Sequence, residues 1–557
     1  MYSHKLITLF LMSFITRIFL ISTLFSAACS VNNSSSSITD KAVFKYNEPG
    51  GILWLDPAKM SKYEDFLISQ QLFNGLVSLD DDLNLIPSIA HSWEISNDGK
   101  TYTFNLRKDV FFHASDLLNE FTANVKAEDV AYSFSRIINP ATASPGRYIF
   151  DFLIPSHKAI VVVDDYTLEI NLIKPQPSFI YQLCLPYGYV IPSEVVEYYG
   201  TDFSQHVIGT GPFFLNKWKK DVKLILGKNS NYFEKDESGN KLPYLDGVSV
   251  TFIQDKNQEY INFKAGKLDM ISGLDEDGKD NLLTSTGELN EQHKKLFYLD
   301  KTPWLNTDYI GVLVDDSINK KLNNPLMSKE LRNAIGYSID REKLVKFLRN
   351  GVGVPASSGF LPKGMPGFEQ YKIKGYTYDL NRAQNIIRDY PKETISITLS
   401  ASEQYKTLCE YLQNQIQQLG INVAVDIHTN SALRQRVANF DAVFYRKSWV
   451  ADFPEPMNYF QLFYGEYFFP ENGTNYYHFK NAKYDSLYLR ASEEQNKKER
   501  YSCYKQMQEI IHDYAPVIPL FYAETLRFYH NYVLGISSNS MNMLNLKKVK
   551  ISRQNIE

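Results

Sequence analysis

Between Thr394 and Tyr445 the apolar pattern changes its period four times, and few folds can follow such a sequence. TISITLS alternates as a strand does. Gln404 to Leu419 sets Leu408, Leu412, Ile416 and Leu419 on one helical face, and Gly420 stops that helix. INVAVDIH is a second strand, Ala432 to Asn439 a short helix, and Phe440 to Tyr445 an almost wholly apolar run of the kind a buried strand shows. Strand, helix, strand, helix, strand is a doubly wound α/β lobe. RKSWVADFPEP, Arg446 to Pro456, follows at once. Pro454 and Pro456 push Phe453 and Glu455 toward extended backbone, so the loop carrying Asp452 is expected to be stiff. Ligands of open α/β sheets sit outside the carboxyl ends of the strands, which makes Arg446, Trp449 and Asp452 candidate contacts. A surface acid in a Pro-rich turn is the plainer reading of the same stretch.

A chain of 557 residues is longer than one such lobe needs. Its net charge of −4 comes without any block of Lys and Arg, which argues against a nucleic-acid partner and against a polybasic membrane patch. At the N-terminus, Lys5 and Arg17 flank or interrupt an apolar segment, Ile18 to Phe25 is uncharged, and Ser26-Ala27-Ala28 precedes Cys29. This resembles a bacterial lipoprotein signal, which implies cleavage before Cys29 and lipidation of that residue. Arg17 splits the run, so either Met1 or Met12 is the start, and Ser26 departs from the usual aliphatic residue. The uninterrupted run is too short for a comfortable membrane span. VNNSSSSITD then reads as a tether. Cys184, Cys409 and Cys503 are far apart and lack metal-ligand spacing, and at most one disulfide can form within the chain.

Asn97-Asp98-Gly99 separates two strand-like runs, and Tyr102, Phe104 and Leu106 alternate with polar residues, as in a β-hairpin. The string Ser92-Trp93-Glu94, Asp98-Gly99, Tyr102-x-Phe104-x-Leu106-Arg107 and Phe112-His113 is similar to a signature of the family 5 extracellular solute-binding proteins, the oligopeptide- and dipeptide-binding proteins of ABC importers. The likeness runs along nearly the whole mature chain. VKAEDVAYSFSRIINP resembles the family's next helix, with Lys126 where Thr or Ser is usual, and AIVVVDDYTLEINL reads as a second hairpin. IGTGPFFLNKW, Asn229-x-x-Tyr232-Phe233, Pro243-Tyr244-Leu245-Asp246 and the C-terminal Ala515-Pro516-x-Ile518-Pro519-Leu520 resemble further family segments. So does LRNAIGYSIDREKLVKFLRN, Leu331 to Asn350, with Asp340 as an internal cap and Gly351 as a stop. Gly209 and Gly211 do not make a phosphate loop, because Pro212 removes an amide donor and no GK[ST] follows.

The resemblance implies an α/β, two-lobed periplasmic-binding-protein-like fold of type II, in its large form with an extra domain and a hinge between lobes. The expected division is 1–28 signal peptide, 29–40 tether, 41–84 with 207–305 and 525–557 as lobe I, 85–206 as the extra domain, and 306–524 as lobe II. It implies that Asp452, in Ala451-Asp452-Phe453, pairs with a peptide's α-ammonium, that Arg446 meets the peptide carboxylate, and that Trp449 walls a side-chain pocket. No HExxH, GxSxG or CxxC occurs, and a lone His113 or His428 reads as structural, so no catalytic residue, metal or cofactor is expected. The expected protein is a monomeric, lipid-anchored, periplasmic or cell-surface component that hands short peptides to an ABC permease and its ATPase subunits. The alternatives are the same fold binding a nickel complex, haem or a sugar, a peptide-sensing signalling receptor, and an exported peptidase.

Overall fold

In the computed structural model, residues 41–118, 123–274, 281–391, 394–471 and 473–552 are described. The signal, the Cys29 lipidation site and the tether lie outside them. Two long strands, Phe297–Val312 and Val517–His530, pair antiparallel and pass from one lobe into the other. Their register slips between Pro303 and Thr307, where Pro303 has no amide to donate. Phe297 to Pro303 faces Glu524 to His530 on one side of the slip, and Thr307 to Gly311 faces Val517 to Tyr522 on the other. The sheet is therefore continuous, but its ladder is interrupted where the chain crosses.

From edge to edge the strands are Asn422–His428, Ser396–Ser402, Phe444–Val450, Phe297–Val312, Val517–His530, Met270–Ser272, Val43–Asn47, Gly247–Thr251, Lys223–Lys228 and Phe213–Lys219. Ser396–Ser402 lies parallel to both of its neighbours, with Lys406–Gln417 and Asn430–Ala438 as crossover helices. Leu412 and Ile416 of the first helix are fully buried, and Gly420 takes the left-handed conformation that ends it. The doubly wound lobe read from the sequence is present. The strand before the site is displaced, however. It spans Phe444–Val450 rather than Phe440 to Tyr445, because Phe440 has a φ of 63° and turns the chain. Arg446 and Lys447 then fall inside the strand, where pairing with Asn306 to Val312 satisfies their backbone.

A separate four-stranded antiparallel sheet, Ala90–Ile95, Thr101–Leu106, Thr167–Asn171 and Ile160–Asp164, holds both expected hairpins. Its inward Tyr102, Phe104 and Leu106 join Val130 and Phe134 of the helix Ala127–Ile138 in a core of its own. Lys126 supplies no side-chain oxygen to cap that helix, but the Asp129 carboxylate accepts from the Lys126 amide at 2.8 Å. Gly209 and Gly211 are packing residues, since a Cβ on either would strike the Leu72 backbone at 2.1 and 2.4 Å.

The lobes touch at two reciprocal insertions. Phe453 sits 5% exposed among side chains of the extra domain, and Leu83, from the turn between Val77–Leu79 and Leu85–Pro87, lies 4% exposed against Leu305, Tyr309 and Phe360. Lys174 and Glu493 form an ion pair between the same bodies at 2.9 Å.

Candidate functional site

Asp452 begins the turn after the strand Phe444–Val450, and three groups fix it. The Ala451 amide donates to Leu305 O at 2.8 Å, continuing the strand pairing by one bond. Asn458, buried six residues on, then works in both directions. Its Nδ2 donates to Asp452 Oδ2 at 3.0 Å, while its Oδ1 accepts from the Asp452 amide at 3.2 Å and from Trp449 Nε1 at 3.0 Å. Beyond the prolines, buried Glu455 accepts from the Met457 amide at 2.6 Å and from the Tyr504 hydroxyl, with Arg500 Nε at 4.0 Å. The Pro-rich loop is thus pinned on both sides of Asp452.

A cavity of about 480 Å³ opens in front of this carboxylate, within the roughly 300–1,000 Å³ usual for small-ligand pockets. Val450 to Pro454 form one wall. Tyr63, Glu64 and Leu67 of the helix Tyr63–Leu72, together with Met541 and Met543, form another, and Tyr181, Cys184 to Pro186 and Trp304 of the crossing strand complete it. Both lobes therefore contribute. Asp452 itself is accessible from the cavity although protein closes around it. Loss of water raises its carboxyl pKa, and the Asn458 hydrogen bond opposes the rise. Its charge in turn adds to the effect of burial in raising the phenol pKa of Tyr148 and Tyr187. Among the described residues Asp452 has no ion-pair partner.

Arg446 departs from expectation. Its Nε donates to Asp308 Oδ1 at 3.1 Å, its Nη2 binds Asp308 Oδ2, and its guanidinium carbon lies 3.2 Å from the centre of the Tyr405 ring. Neither Arg446 nor Asp308 lines the cavity. Asp308 stands opposite Ser448, one diagonal step from Arg446 on the paired strands, so the two side chains share a face. Burial works against the arginine charge, and Asp308 and Tyr405 together more than offset it, leaving the pKa raised. This guanidinium is committed inside its own lobe. Trp449 also stands behind the wall, packed among lobe residues, and reaches the site only through Asn458.

A larger, more open depression of about 980 Å³ lies between Lys363 to Gln370 and Lys497 to Lys505. It draws on one lobe alone and is lined by none of the residues around Asp452. His113 is structural: it is buried, contacts Gly211 O at 3.0 Å and accepts from the Gly209 amide at 3.2 Å, and burial lowers its pKa to about 4. No metal-binding group occurs among the described residues, Cys184, Cys409 and Cys503 are free, and no described helix is long and apolar enough to cross a membrane.

The family model of the bacterial extracellular solute-binding proteins, family 5, middle, matches residues 84–470. The chain belongs to this family. It is 25% identical over 508 residues to the dipeptide-binding protein DppE of Bacillus subtilis, covering 86% of each chain. It is 26% identical over 532 residues to heme-binding protein A of Haemophilus influenzae, covering 89% of this chain and 92% of that one. The periplasmic binding protein DppA of Helicobacter pylori, solved with the peptide STSA, superposes with a TM-score of 0.72 at 25% identity over 92% of this chain and 98% of that one. The two-lobed binding-protein fold and the solute-binding class follow.

Proposed function

We propose that this family 5 protein captures short peptides between its lobes, holding the α-ammonium on Asp452, and passes them to the permease of an ABC importer. The observation that carries this reading is a carboxylate held on a cavity wall by a neutral amide alone. An ammonium sealed against it gives each charge the partner that a closed site demands. Main-chain groups pairing with an extended ligand would add affinity without reading side chains. Met541 and Met543 give the opposite wall adaptable side chains that suit varied peptide residues. The name of DppE and the bound STSA of DppA support peptides as the ligand class.

In this proposal the lobes divide at 306 and 524, with 85–206 as an appended domain, and they open by hinge motion about the crossing strands. The protein is a binder and not a catalyst. It acts as a monomer outside the cytoplasmic membrane, tethered through Cys29. Trp449 acts as a positioning residue for Asp452 through Asn458. Native mass spectrometry of the protein from Ser30 onward, purified without denaturation, tests the reading. A ladder of short peptides of mixed sequence is the expected cargo; a single haem, sugar or metal adduct would overturn the ligand, and cleavage of added peptides would overturn the binder.

A further inference from the structure

The cavity contains a second carboxylate. Glu64 and Asp65 are adjacent in the first turn of the helix Tyr63–Leu72, and their surroundings differ. Asp65 turns into the protein and accepts from the Leu53 and Trp54 amides at 2.7 and 3.3 Å. Glu64 lines the cavity, half-buried, with the end of its side chain against Gly50, and among the described residues it has neither a hydrogen-bond nor an ion-pair partner. Among the described residues no Lys, Arg or His lines this cavity.

None of the cations nearby lines the cavity. Lys62 Nζ lies 3.4 Å from the Gly50 carbonyl, Lys256 pairs with Glu259 at 2.7 Å, and Arg527 donates to Ser538 and to Asn542 at 2.8 to 2.9 Å. Behind Glu64, the carboxyl of Glu48 is pushed up to about 7, first by burial and then by the charge of Glu64, with Lys256 and Arg527 pulling the other way. Arg446, the cation expected for a peptide carboxylate, is held by Asp308.

Building on the peptide reading above, we infer that the cleft selects peptides of net positive charge, with a Lys or Arg side chain received by Glu64 and the terminal carboxylate left unclamped. A neutral dipolar peptide would satisfy Asp452 with its ammonium, leave Glu64 unpaired in a closing site, and add its own carboxylate to the unbalanced charge. A peptide with one basic side chain pairs both protein carboxylates. Its carboxylate finds no cation on the walls and does best toward solvent, as in a longer peptide whose end protrudes.

The test is calorimetry with tetra-alanine, with analogues in which Lys, norleucine or Glu is walked through each position, and with the C-terminal amides. At one position, Lys is expected to exceed norleucine by about tenfold or more, with Glu weakest. Amidation is expected to change affinity by less than about threefold, since no buried partner is lost. Glu64→Gln should remove most of the Lys-over-norleucine ratio. Glu64→Lys should invert it in favour of Glu, an outcome that misfolding cannot imitate. Equal binding of Lys and Glu analogues, or a ratio unchanged in Glu64→Gln, overturns the charge selection while leaving peptide capture in place. Failure of every free-amine peptide to bind overturns peptide capture itself, and this inference with it.

Discussion

Asp308 lies in one strand of a lobe and Asp452 just past the end of the neighbouring strand, and the two have opposite fates. Asp308 is buried and closed off by a bidentate arginine that also stacks on Tyr405. Asp452 stands on a cavity wall with one neutral amide for support. The first arrangement is complete without a ligand, whereas the second holds a partly desolvated charge in one orientation and supplies no countercharge. The comparison separates a structural ion pair from the carboxylate proposed above to receive a cation.

The sharpest contrast is expected in stability. Removing Arg446 leaves Asp308 buried and unpaired, so Arg446→Ala should cost about 3 to 5 kcal/mol in urea unfolding. Asp452→Asn should leave the midpoint of the unliganded protein nearly unchanged, because no cation partner is lost. A mild Arg446→Ala, or a steep Asp452→Asn, would break the contrast.

A second expectation concerns how Asp452 is aimed. Asn458→Ala removes the bonds to Asp452 and Trp449 together, and peptide affinity should fall about tenfold, with stability reduced by about 1 to 3 kcal/mol for the buried groups left unpaired. Trp449→Phe removes one bond from Asn458 and should cost only a few-fold in affinity. If Trp449→Phe proved the more severe of the two, Trp449 would be a ligand contact in its own right.

The smallest effect is a proton count. Burial raises the Asp452 carboxyl pKa, so this group favours the unliganded fold below the ordinary aspartate range and loses that contribution as pH rises through the folded-state value. An ammonium ligand needs the charged form and reverses the preference. Peptide binding at a pH near the folded-state value should therefore release protons, seen as a buffer-dependent calorimetric heat, and the release should fade as pH rises above that value. Asp452→Asn should abolish the release.

Much of this arrangement was legible in the sequence because it is local. The strand and helix periods of 394–450, the Asp98-Gly99 hairpin and the paired prolines act within a few residues, and each appears where expected or shifted by one turn. The displaced strand at Phe444–Val450 was not legible, because pairing with Asn306 to Val312 carries it through charged residues that read as a loop. The partner of Arg446 is separated from it by 138 positions, so its spacing to Asp452 says nothing of Asp308. Asn458 follows Asp452 across the Pro454 and Pro456 turn, where no helical or strand period relates the two, and Glu64 looks like any acid at a helix start. Asn458 is assigned by the Asp452 and Trp449 it bonds within its own lobe, and Glu64 by a cavity that the other lobe completes.

The direct test of the central claim is calorimetric titration of wild type and Asp452→Asn with a free-amine peptide and its N-acetyl counterpart. The expected result is a loss of about two orders of magnitude on either substitution or acetylation, with little further loss when both are combined, because both remove the same ion pair. Equal affinity of mutant and wild type for the free-amine peptide would contradict the assignment of Asp452.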